Sequence, residues 1–171
     1  ERVDLKTLVQ EIVNEHKRLF ITNGVFPVIS IEENYTVATD MKWMKFVIGQ
    51  FITNAVKYTF ERGKKVHIAA ARTAEGLRLT VRDEGVGIPA SDLKRITKPF
   101  FTGENGRLTG ESTGMGLYIA SEVCQRLGHR LAIESELGAG TTVTVLFENE
   151  EAGERDDTED DRRTDGSDED L

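Results

Sequence analysis

Little in this 171-residue chain is cross-linked, apolar over long stretches or strongly basic, and each scarcity closes off a class of protein. Cys124 is the one cysteine, so no internal disulfide can form and a reducing compartment suits the sequence. No apolar run reaches the roughly 18 residues of a membrane-spanning helix. No signal peptide is expected. The first residue is Glu1 rather than Met, so the chain is expected to be a piece of something longer. The three histidines, His16, His67 and His129, lack the spacing of a zinc site. No internal repeat is present.

Basic charge is also short. The net charge is −8, from 22 basic and 30 acidic residues, which argues against a nucleic-acid partner. That deficit is not evenly spread. Residues 148–171 hold 13 acidic and 3 basic residues, whereas residues 1–147 hold 17 acidic and 19 basic ones. A near-neutral body therefore carries an acidic tail, and the tail's composition reads as a solvated, disordered end. The body is long enough for one domain, and 38% hydrophobic residues suffice for a core.

Periodicity then places the elements. Val3, Leu5, Leu8, Val9, Ile12, Val13 and Leu19 predict a helix over 3–20, ended by Asn23-Gly24 and Pro27. A short extended piece is expected at 28–31 and a polar turn at 32–34. The next helix, 41–59, has a core-facing stripe of Trp43, Phe46, Val47, Gln50, Phe51, Asn54, Ala55 and Tyr58. Met44, Ile48, Ile52 and Val56 widen it. Two strands follow at 65–72 and 77–83, around a turn at Glu75-Gly76. Leu77, Leu79 and Val81 alternate with Arg78, Thr80 and Arg82, and Asp83 continues the inward face. Residues 102–116 contain five of the 16 glycines, the composition of a functional lid. A helix at 115–127 buries Leu117, Ala120, Cys124 and Leu127, and there Cys124 reads as inert packing. Strands at 131–135 and 141–147 close the chain around Gly138–Gly140. The irregular alternation, with two hairpins, predicts an α/β two-layer sandwich: a mixed β-sheet on about three helices.

Chemistry collects at a few of these positions. Asn54 and Gln50 are amides one turn apart on an apolar stripe, with Lys57 and Tyr58 a turn further on. An amide oxygen suits Mg²⁺, which takes few protein ligands plus phosphates and water. Lys57 would neutralise phosphate charge beside it. A helix starting near Gly114 offers its first amides to an anion. Asp83, an inward carboxylate, can accept from the exocyclic amine of adenine. Gly85 and Gly87 leave room for a purine against the backbone. Taken together these features read as a Mg-nucleotide pocket. Each alone has a plainer reading: Asn54 as a satisfied amide, Asp83 as a turn cap, and Gln50 as filler or as polar support near the ion.

Four boxes follow one another: Asn54-Ala55-Val56-Lys57-Tyr58-Thr59, Asp83-Glu84-Gly85-Val86-Gly87-Ile88, Lys98-Pro99-Phe100-Phe101 and Thr113-Gly114-Met115-Gly116-Leu117. Gly138-Ala139-Gly140-Thr141 closes the series. On these residues the chain, over about 3–147, resembles the catalytic ATP-binding domain of bacterial sensor histidine kinases. That superfamily includes gyrase, heat-shock-90 chaperones and mismatch-repair ATPases. Details around Gln50 and both flanks of the lid resemble the short, intramembrane-sensing kinases of Gram-positive bacteria that work beside peptide-antibiotic transporters.

The resemblance implies roles. Asn54 would hold Mg²⁺ and, with Lys57, form the catalytic pair, with Gln50 as support near the metal. Lys57 and Tyr58 would contact phosphate or ribose. Asp83 would recognise adenine, through a water shared with Thr141, with Gly85, Gly87 and Ile88 around the base. Phe100 and Phe101 would anchor the lid, or else serve as core. Arg107 would reach the γ-phosphate, and Thr113, Gly114, Met115, Gly116 and Leu117 would meet the phosphates. Related ATPases place a glutamate where Gln50 stands, and an amide is no general base, so transfer rather than hydrolysis is implied. No histidine here has the acceptor's surroundings, so the phosphoacceptor is expected on a dimerisation domain outside this chain. Residues 1–20 would be the end of a dimerisation or linker helix, 21–147 the catalytic domain and 148–171 the tail. The cofactors implied are ATP and Mg²⁺. The partners implied are the dimerisation domain and a response regulator, the parent being a plasma-membrane homodimer with this domain in the cytoplasm. A degenerate ATP-binding interaction module and an anti-sigma-type serine kinase stay open as alternatives.

Overall fold

The computed structural model describes residues 1–97 and 116–148. Chain order is β1 (Arg2–Asp4), α1 (Leu5–Glu15), α2 (Lys17–Asn23), β2 (Phe26–Ser30), β3 (Thr36–Ala38) and α3 (Met41–Lys57). Then come β4 (Lys65–Thr73), β5 (Gly76–Asp83), α4 (Ala90–Leu93), α5 (Gly116–Arg126), β6 (Arg130–Glu136) and β7 (Gly140–Glu148).

Local chemistry sets several boundaries. Asp4 caps α1 by accepting from the Thr7 amide at 2.8 Å, and Asp40 caps α3 by accepting from the Trp43 amide at 3.0 Å. Gly24 ends α2 in the left-handed region, φ 63°. The helix expected over 3–20 is thus divided. Its first residues pair as a strand with β3, Val3 opposite Val37. At His16 the chain breaks, and the imidazole Nδ1 lies 2.8 Å from the Ile12 carbonyl. Strand β3 itself was not expected, since pairing between residues 34 apart leaves no local periodicity.

The main sheet has the order β2-β4-β5-β7-β6. Strands β2 and β4 run parallel and every other neighbouring pair is antiparallel, so the sheet is mixed as expected. Pro27 is tolerated because β2 is an edge. The long helices α1, α3 and α5 pack over the sheet around a core that includes Leu5, Ile12, Phe51, Ile52, Ile68, Leu79, Val145 and Phe147. On β5, Leu77, Leu79, Val81 and Asp83 are buried while Arg78 and Arg82 are exposed, as the alternation predicts. Phe51 is 2% exposed at the centre of this layer. Phe51→Ala is expected to cost about 3–5 kcal/mol of stability, read as a lower urea midpoint.

Helix α3 faces the core differently from the expected stripe. Met44, Val47, Ile48, Phe51, Ile52, Ala55 and Val56 are buried, whereas Trp43 is 48% exposed. Trp43 lines an open apolar groove of about 310 Å³ with Tyr118, Ile119 and Val123 of α5. The helix is apolar on most sides, so packing against α1 and α5, not periodicity, decides its inward face. The rotation leaves Gln50, Asn54, Lys57 and Tyr58 half-buried along one edge.

The tail was expected from 148, but Glu148 still belongs to β7 and accepts from Arg130 at 2.8 Å. Residues 149–171, and Lys98, Phe100, Phe101, Arg107, Thr113, Gly114 and Met115 of the lid, lie outside the described residues. Among the described residues no helix is long and apolar enough to cross a membrane.

Candidate functional site

Three segments meet where β5 ends. The first is the C-terminal edge of α3, the second the loop from Asp83 to Ile88, and the third the hairpin joining β6 to β7. Tyr58 ties the first two, its carbonyl accepting from the Val86 amide at 3.1 Å. Val86 in turn accepts from the Gly138 amide at 2.9 Å, bringing in the hairpin.

Asp83 lies at the centre and is 8% exposed. Its Oδ1 accepts from the Gly85 amide at 2.9 Å and from the Thr141 amide at 3.2 Å. Among the described residues no donor reaches Oδ2. Burial pushes this carboxyl up to about 6, outweighing the two amides, which pull it down. The side chain is thus held by one oxygen, with its other oxygen free of donors among the described residues.

The glycines around it are required by packing. A Cβ on Gly85 would run into the Tyr58 carbonyl and stand 2.9 Å from Asp83 Oδ1 and 3.0 Å from Thr59 Oγ1. Gly87 has φ +75° and its Cα faces the Glu136 backbone. Neither position accepts a side chain, so the loop lies flat against its neighbours. Thr59 is itself buried, its hydroxyl donating to the Ala55 carbonyl at 2.7 Å.

On the other side, α5 begins at Gly116 against α3. A Cβ on Gly116 would collide with the Gln50 carboxamide, so Gln50 meets the start of α5 one turn before Asn54. Among the described residues α5 begins at Gly116 and Leu117, so these amides lie at the end of the helix nearest Gln50. Asn54 is half-buried and its carboxamide has no hydrogen-bond partner among the described residues. Among those residues no group of three or more His, Cys, Asp or Glu side chains could hold a metal ion. A hard cation would therefore take the Asn54 oxygen together with ligand and water oxygens, a donor set that fits magnesium. Lys57, in the last turn of α3, supplies a cation on the same edge.

The arrangement thus has a buried acceptor at one end and the described start of α5, an amide oxygen and an ammonium at the other. That polarity fits a base-plus-phosphate ligand. Of the expected residues, Gln50, Asn54, Lys57, Tyr58, Asp83, Gly85, Gly87, Ile88, Gly116, Leu117 and Thr141 fall within these segments. Sequence reasoning missed Ser135. Its hydroxyl accepts from the Ile88 amide at 2.7 Å, donates to the Gly140 carbonyl at 2.9 Å and lies 2.8 Å from Thr141 Oγ1. Its position opposite Thr141 across the hairpin was the available signal. Cys124 is buried in the core, which pushes its thiol up to about 11 and keeps it unreactive.

Residues 39–151 match the family model described as "Histidine kinase-, DNA gyrase B-, and HSP90-like ATPase". The chain belongs to this ATPase family. Among its relatives, "Sensor histidine kinase YxdK" of Bacillus subtilis is 41% identical over 147 residues, covering 86% of this chain and 45% of the relative. "Sensor protein BceS" of the same organism is 35% identical, covering 86% and 43%. "Sensor histidine kinase GraS" of Staphylococcus haemolyticus is 33% identical, covering 86% and 42%. The chain thus spans less than half the length of these curated relatives. The ATPase fold is shared with solved structures. "Mycobacterial sensor histidine kinase MprB" has a TM-score of 0.73 at 19% identity, covering 86% of this chain and 96% of that one. The catalytic domain of histidine kinase ThkA has a TM-score of 0.75 at 19% identity, covering 86% and 94%.

Proposed function

We propose that this ATPase-family chain binds Mg-ATP and passes the γ-phosphoryl group to a histidine on a dimerisation domain outside it. The observation that carries the reading is Asp83, fixed by two backbone amides on Oδ1 with Oδ2 left for the base. Adenine, with an amine donor, complements that oxygen. Gly85 and Gly87 provide the flat surface, and the phosphates extend toward the first amides of α5. Asn54 and Gln50 stand where a metal ion would sit between α3 and those phosphates. Magnesium, when bound, withdraws charge from the phosphates and so favours their displacement. Lys57 adds a fixed positive charge to the same group, so catalysis is positioning and charge stabilisation.

Gln50 also bears on which reaction follows. A carboxamide cannot take a proton from water, so Gln50 supplies no base for hydrolysis and transfer to a side chain is favoured. The chain's own histidines are poor acceptors. His16 is held against the Ile12 carbonyl, His129 bonds to Thr39 Oγ1 at 2.7 Å, and His67 lies within strand β4 rather than on a helix. The acceptor would join through residues 1–20, whose first strand is fixed to β3 beside the start of α3. The names of the relatives support a sensor kinase, and we extend this to a dimeric membrane parent that serves a response regulator.

Calorimetric titration of ATP into the chain, with Mg²⁺ and with chelator, tests the binding step. Saturable binding that tightens in Mg²⁺ is expected. No heat in either condition would refute the nucleotide site.

A further inference from the structure

We propose that Ser135 is a specificity-determining residue, setting the proton direction of the Thr141 hydroxyl so that the base end of the site only accepts hydrogen bonds. This rests on the nucleotide reading above. A serine hydroxyl has one proton and two acceptor positions. The Gly140 carbonyl, 2.9 Å from Ser135 Oγ, can only accept, so it takes that proton. The Ile88 amide, 2.7 Å away, can only donate, so it occupies one acceptor position. What remains at Ser135 Oγ is one acceptor position facing Thr141 Oγ1 at 2.8 Å. With Ser135 donating to Gly140, Thr141 is the donor in its contact with Ser135.

The consequence falls on the ligand. With its proton committed, Thr141 Oγ1 presents lone pairs alone. The Thr141 amide donates to Asp83 Oδ1, which places that hydroxyl next to the carboxylate. Asp83 and Thr141 are then two acceptors side by side, and each needs a proton from the base or from a water bound to it. A 6-amino purine supplies protons there. A 6-oxo purine turns lone pairs to lone pairs at position 6, and its single N1 proton can serve only one of the two acceptors, which leaves an unmade bond in a partly desolvated site. Ser135 touches no ligand in this scheme; it works by fixing Thr141 while fastening the Ile88 loop to the hairpin.

Calorimetry of ATP and of inosine triphosphate, whose ring carries a 6-oxo group, is the test, on wild type, Ser135→Ala and Ser135→Thr. Ser135→Ala frees the Thr141 proton to turn toward a 6-oxo group. Its preference for ATP is expected to fall about tenfold, the scale of one hydrogen bond, and Ser135→Thr is expected to restore it. A residue that merely fastens the hairpin would weaken both nucleotides alike, and an unchanged ratio in Ser135→Ala overturns the proposal. Should that variant not fold, Thr141→Val decides. ATP is expected to weaken several-fold while inosine triphosphate does not, and equal weakening of both overturns the proposal. If wild type binds neither nucleotide, the nucleotide reading fails and this inference with it. If wild type binds ATP and Asp83→Asn does not, an unmoved ratio refutes only the role of Ser135.

Discussion

Asp83→Asn is expected to weaken ATP binding by about 100-fold and to leave the fold intact. Asparagine keeps an oxygen for the Gly85 and Thr141 amides, so the loop stays fastened. Its amino group, however, replaces Oδ2 and meets the adenine amine donor to donor. Opposed donors in a desolvated pocket cost about 2–3 kcal/mol, which is the expected loss. Stability should move the other way. Asp83 titrates at about 6 in the fold against 3.8 for the free group, because burial penalises its charge. Its contribution is therefore fully favourable below about pH 3.8 and is lost as pH rises through about 6. By pH 7.5 the ionised carboxylate weighs on the fold by about 3 kcal/mol. Asp83→Asn carries no such charge. Urea unfolding at pH 4 and pH 7.5 should show a larger gap between variant and wild type at the higher pH. Wild-type ATP affinity should fall below about pH 6, as the protonated carboxyl stops accepting.

Asn54→Ala should act on a different step. The side chain is half-buried and has no hydrogen-bond partner among the described residues, so the melting temperature should hardly change. ATP affinity in chelator should also be nearly unchanged. Removing the amide oxygen takes away the protein's own hold on the cation beside the phosphates. Phosphoryl transfer is expected to fall about 100- to 1,000-fold, the cost of losing one preorganised group at a developing charge. A parallel loss of chelator-phase affinity would mean that Asn54 supports the base or the fold instead.

These two residues differ in how openly the sequence displays them. Asp83 continues the inward face of Leu77, Leu79 and Val81, and a carboxylate on a buried stripe is conspicuous. Asn54 stands on a helix apolar on most sides, where periodicity cannot choose the inward face. The expected stripe put Trp43 inside, and packing against α1 and α5 turned it out. That same rotation places Gln50, Asn54 and Lys57 on an edge where a ligand can reach them. The break at His16 and the pairing of β1 with β3 were hidden for a related reason, since strand partners 34 residues apart leave no local trace. The Asp4 cap was hidden as well, since the expected helix already began at residue 3 and the structure shows Asp4 accepting from the Thr7 amide ahead of it. Ser135 ends the strand expected at 131–135 and carries no motif of its own. Only the register of β6 on β7 brings it opposite Thr141.

The most direct test supplies the chain with a separately made dimerisation domain of a relative, Mg²⁺ and γ-labelled ATP, and types the phosphoamino acid. Label on the added domain, lost in acid and kept in base, and absent from the chain incubated alone, is the expected result. Label on this chain by itself, or acid-stable label on a serine, would contradict the assignment of Asn54, Lys57 and Asp83 to transfer toward a histidine outside it.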